Sequence, residues 1–92
     1  MIKLEKVTAG RAQLGMFAPE FARLNDDVLF GEVWSREAQL SVRDRSIVTV
    51  TALMASGVLE GSLQFHIQKA KENGVTAEEM AELLTHAAFY AG

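Results

Sequence analysis

Apolar positions in this chain recur at helical rather than strand intervals wherever they recur at all. The first seven residues show no consistent face and read as a loose arm. Thr8 to Leu14 suits a short helix ended by Gly15. Pro19 suits the first turn of a second helix, where its missing N–H costs nothing. Phe21, Leu24, Val28 and Leu29 continue at helical spacing. Asn25-Asp26-Asp27 is expected to interrupt this run and to cap a separate short helix carrying Phe30, Val33 and Trp34. Ser35 to Leu40 reads as a connecting loop.

The second half is more regular. Ser41 with Asp44 three residues later resembles a capping box, and the run from Ile47 to Ala55 is apolar nearly all round. Its β-branched residues would suit a buried strand, but the distance from Ser41 to Ser56-Gly57 is too long for one. A helix apolar on every side belongs in the middle of a bundle or an assembly. From about Leu59 to Asn73 a further helix is predicted. Leu59, Leu63, Ile67 and Ala70 form its apolar face, with Ser62 and His66 on the same side. Gly74 supplies the left-handed position that ends many helices. Thr76 and Glu79 form a second capping box, followed by Met80, Leu83, Leu84, Ala87 and Ala88 on a core face. The fold class is all-α, a small helical bundle in a single domain over residues 1–92.

Composition adds an expectation about assembly. A chain of 92 residues buries only about 60–65% of the surface its unfolded form exposes, yet 49% of these residues are hydrophobic. The surplus points to burial between subunits, hence a homo-oligomer. A net charge of −3 with scattered basic residues argues against nucleic acid as a partner. No apolar run is long enough to cross a membrane, and the N-terminus lacks a signal-peptide core, so a cytoplasmic location is expected. With no cysteine, disulfides, thiolate metal sites and thiol catalysis are excluded.

The candidate chemistry centres on His66. An imidazole on an apolar helical face is either a packed core residue or an acid/base whose pKa is easily moved. Ser62 lies four residues before it, at the spacing of a nucleophile and its base, but no group that would orient the base can be identified. His86 follows Glu82 and Glu79 by one and two turns, a spacing that can hold metal in bundles. No matching set occurs on another helix, so a solvated edge is the better reading and no metal is expected. Glu32 and Trp34 stand together in FGEVWSRE, where desolvation can keep a carboxyl protonated, although an exposed glutamate fits equally. Arg36, Arg43 and Arg45 can clamp a carboxylated ligand or simply pair with Glu37 and Asp44.

RDRSIVTVTALMASGVLEGSLQFHIQKAKENGVTAEEMAELLTHAAFYAG, preceded by FGEVWSRE, resembles the carboxymuconolactone decarboxylase family over residues 17–92. That resemblance implies an all-α fold of the alkyl hydroperoxidase D-like type, assembled in rings such as trimers or hexamers. Redox members carry two cysteines and a glutamate; the corresponding positions here are Leu59, Ser62 and, allowing for one residue of loop, Ser46. Thiol chemistry is thereby closed, and the likeness is to the decarboxylase branch. Relatives usually continue past Tyr-Ala-Gly with a further helix, which is not found here. The resemblance implies a cofactor-independent decarboxylase acting on a small carboxylated lactone. His66 would donate the proton, Glu32 would orient it or share the transfer, and Arg43, Arg45, Ser62 and Trp34 would bind substrate. The alternatives are a non-catalytic helical oligomer that binds a small molecule, and a redox accessory protein without its cysteines.

Overall fold

The computed structural model describes residues 7–91. The expected arm lies outside the described residues except for Val7. Every regular element among them is helical, so the all-α expectation is borne out. The chain resolves into two compact units, one extending to Leu40 and one beginning at Ser41.

The first unit holds α1 (Ala9–Leu14), α2 (Pro19–Arg23) and a π-helical segment (Leu24–Val33). Pro19 opens α2 as expected. The expected break at Asn25-Asp26-Asp27 does not occur, because Arg23 and Leu24 keep right-handed helical dihedrals and the backbone passes straight from α to π geometry. Asp26 caps a different helix instead. Thr8 makes no side-chain bond at the start of α1. The Asp26 carboxylate takes that place, accepting from the backbone N–H of Gly10 at 2.8 Å and of Arg11 at 3.0 Å. The Arg11 guanidinium forks onto Asp27 at 2.8 and 2.6 Å. Asp26 is only 2% exposed. Burial pulls its pKa upward, but hydrogen bonds from Asn25, Arg11 and Gly10 and the charge of Arg11 outweigh that and leave it below the ordinary value. The approach is close enough to need glycine: a Cβ on Gly10 would lie 2.6 Å from Asp26 Oδ1 and 3.1 Å from the Ala22 carbonyl oxygen.

The second unit holds α3 (Val42–Ala55), α4 (Gly61–Glu72) and α5 (Ala77–Ala88), with α3 packed against both others. Ser41 caps α3 by accepting the Asp44 N–H at 3.0 Å. The Asp44 carboxylate turns to Arg43 at 3.3 Å. Helices α3 and α4 end alike. Gly57 (φ +79°) and Gly74 (φ +99°) take the left-handed region. Val58 N–H reaches the Leu53 carbonyl and Val75 N–H the Ala70 carbonyl, each at 2.9 Å, which closes a Schellman turn. The Thr76–Glu79 capping box forms completely, with bonds of 3.1 and 2.9 Å.

Val50, Ala70 and Val75 make the core, with Ile47, Leu63, Met80 and Leu83 packed against it. This core is narrower than the apolar pattern predicts. Leu59 precedes α4 rather than joining it and is exposed, while Ile67, Leu84 and Ala88 also face outward. On α3, Val48 is 60% exposed although the segment reads as apolar on all sides. Two neighbouring helices cover only part of a helix circumference, which is why the remaining apolar positions stay open. Thr49 and Thr51 donate to carbonyls one turn back, at 2.7 Å each, so their hydroxyls are satisfied within α3.

Candidate functional site

Helix α4 carries Ser62, His66, Lys69 and Asn73 at intervals of four, three and four residues, the spacing of one stripe along a helix. The stripe borders the buried side, since Leu63 and Ala70 both pack into the core. Ser62 and Lys69 are exposed and His66 is half-buried. The stripe therefore runs where the packed face gives way to solvent, a setting in which an imidazole is partly dry yet reachable.

His66 Nδ1 is itself buried and takes part in no hydrogen bond among the described residues. The Phe65 ring stands edge-on to the imidazole, with centroids 5.0 Å apart and planes at 89°. Burial disfavours the imidazolium, and the nearby Lys69 charge adds to that, so the His66 pKa lies below its ordinary value of 6.5. The ring edges the core, but it is not sealed within it.

The stripe ends in a polar contact between helices. Asn73 Nδ2 donates to Ser46 Oγ at 2.9 Å, joining the end of α4 to the fully buried Ser46 of α3. Sequence reasoning used Asn73 only as a helix-end signal and missed this role. The available signal was a serine among apolar positions on α3, since a buried hydroxyl requires a partner.

The arginines are less simply disposed. Arg43 bridges from the start of α3 to Glu79 in the first turn of α5, and it also pairs with Asp44. Pairing with Asp44 was one of the two expected readings; the bond to Glu79 was not foreseen. Glu79 thereby serves its own capping box and an interhelical bridge. The Thr76 backbone N–H lowers its pKa most, burial opposes, and the Thr76 hydroxyl and Arg43 charge lower it further. Arg45 is half-buried on α3, and its carbonyl accepts from Thr49.

Ser62 and His66 share an edge, but no hydrogen bond joins them among the described residues, so the nucleophile–base pairing has no geometric support. Glu32 and Trp34 belong to the first unit and the other candidates to the second. Trp34 is buried and stacks on Phe30, with centroids 6.1 Å apart and planes at 16°. Glu32 is exposed, in line with the exposed-glutamate reading of FGEVWSRE.

His86 is exposed on α5, as the solvated-edge reading has it, and its ring lies 5.0 Å from that of Tyr90. It helps to line an open groove of about 640 Å³ between α3 and α5, together with Ile47, Leu83, Glu82 and Tyr90. No group of three or more side chains suited to hold a metal ion occurs among the described residues. None of the helices they form is long and apolar enough to cross a membrane.

Comparison with known proteins gives two matches. The model of the carboxymuconolactone decarboxylase family matches residues 19–92. A 4-carboxymuconolactone decarboxylase of Acinetobacter baylyi (strain ATCC 33305 / BD413 / ADP1) is 39% identical over 79 residues, covering 86% of this chain and 58% of the relative. The chain thus corresponds to somewhat more than half the length of that relative. No solved structure shows a significant match.

Proposed function

Because this chain belongs to the carboxymuconolactone decarboxylase family, we propose that it is a cofactor-independent decarboxylase of a small carboxylated lactone, with His66 as the proton donor. The observation that carries this reading is the position of His66, half-buried on the rim of the α4 core face and bordered by exposed polar groups.

The chemistry needs little more than placement and one proton. The bond between ring carbon and carboxylate breaks and CO2 departs. The electron pair flows into the conjugated lactone carbonyl, forming a dienolate. Donors near the developing oxygen stabilise it. The dienolate then collapses and takes a proton at carbon from the His66 imidazolium, and solvent restores that proton. A neutral resting imidazole is compatible with this route, because a bound dianion raises the pKa of an adjacent imidazole.

Ser62, one turn before His66, would donate to a substrate oxygen. Arg45 keeps the carboxylate-binding role implied by the family resemblance. Arg43 would have to leave Glu79 to share it. Glu32 and Trp34 keep the roles that the family resemblance implies for them, as proton-transfer partner and substrate-binding residue.

We further propose that the active form is a homo-oligomer, a trimer or hexamer, acting without nucleic-acid or membrane partners in the cytoplasm. In support, Phe89 and Tyr90 are 84% and 82% exposed, and Val48 and Phe65 are more than half exposed. Side chains of this size on several faces suit burial between copies. Sedimentation at micromolar concentration tests this, and a stable monomer would overturn it.

The test of the reaction is His66→Ala assayed on 4-carboxymuconolactone. We expect the loss of about 10²-fold or more in kcat that accompanies removal of a general acid. Turnover at the wild-type rate would refute the assignment. The open groove between α3 and α5 favours a second reading, a non-catalytic binder of small molecules. Thermal stabilisation by lactone acids without turnover would select it.

A further inference from the structure

Helix α4 places a cation on the same stripe as the imidazole, and the family-derived roles do not use it. Lys69 follows His66 by three residues and Ser62 by seven, so the ammonium, imidazole and hydroxyl lie along one edge of the helix. Lys69 is exposed, and no carboxylate pairs with it among the described residues. Arg43, the other cation singled out on this unit with a defined partner, is held by Glu79. Phe65 closes one side of the imidazole with its ring edge. Directional donors beside an apolar edge are what a small carboxylated ring requires.

We propose that Ser62, His66 and Lys69 form a carboxylate-recognising stripe on α4, in which Lys69 anchors a substrate carboxylate beside the proton-donating imidazole. This rests on the decarboxylase reading for its reaction, but not for its binding chemistry. Anchoring also couples binding to protonation. In the empty site the Lys69 charge disfavours the imidazolium. A carboxylate paired with Lys69 cancels that repulsion and brings negative charge near the ring, so His66 gains its proton as substrate arrives.

The test uses the full chain and a non-reactive dicarboxylate, adipate, by calorimetry, with the His66 ring followed by NMR titration. Lys69→Met should weaken adipate binding about tenfold or more, Lys69→Arg should largely restore it, and Lys71→Met should leave it unchanged, because Lys71 lies on the opposite side of α4. Adipate should raise the His66 pKa in wild type but not in Lys69→Met. With 4-carboxymuconolactone, Lys69→Met should raise KM more than it lowers kcat, the mark of lost uniform binding. The inference is overturned if wild type does not bind adipate, if Lys69→Met binds it as well as wild type does, or if Lys71→Met loses as much affinity. Lys69-dependent binding without turnover of the lactone would leave the anchor standing and refute the decarboxylase.

Discussion

His66 shows how one side chain carries opposite pH demands for activity and stability. In its proposed role as general acid it must be protonated, yet burial and Lys69 hold its pKa below 6.5 in the free protein. In kcat/KM, which reports the free enzyme, activity should therefore fall as pH rises through a value below 6.5. The limb in kcat should lie at higher pH, because bound carboxylates favour the imidazolium. Superimposed limbs would argue against His66 as the acid. Stability runs the other way. The unfolded chain binds the proton more readily, so the contribution of His66 is fully present above about pH 6.5 and is lost as pH falls through the depressed folded value. At the same scale, Gly10 is fixed by the Asp26 carboxylate. Gly10→Ala should lower the melting temperature, because the added methyl displaces an oxygen that caps α1. An unchanged melting temperature would show that the contact is not needed.

At the scale of elements, helix ends were the most legible feature. The Thr76 box and the Gly74 stop are written in adjacent residues, and they form as read because their bonds span only a few positions. Thr76→Ala should cost about 1 kcal/mol in denaturant unfolding, as cap removal commonly does. Gly74→Ala should cost a similar amount by forcing a side chain to φ +99°. Where a cap is supplied from a distance, local reading fails. Asn25-Asp26-Asp27 has the composition of an N-cap, but Asp26 bonds to Gly10 and Arg11, sixteen and fifteen residues away. The chain stays helical through Asp26, which lies inside the π segment that begins at Leu24.

For the whole molecule, the small core sets the stability of the second unit. Val50 is fully buried at its centre, so Val50→Ala should cost about 2 kcal/mol, measured as a shift in unfolding midpoint. A cost near zero would mean that the unit depends on burial between copies instead. Helix number in that unit, the approximate helix bounds and the all-α class were determined by the sequence alone, since periodicity, caps and stops act over one or two turns. The His66 stripe was half legible: Ser62 and His66 follow from spacing, but that Lys69 lies on the same exposed border appears only once Leu63 and Ala70 define which edge of α4 is packed. Other features were decided by tertiary structure. Among these are the Asn73–Ser46 bond, the bridge from Arg43 to Glu79, the exposure of Glu32 and the open faces of Val48 and Leu59. Each depends on which residues distant in sequence become neighbours, and a polar group or apolar face keeps several possible partners until the chain has folded.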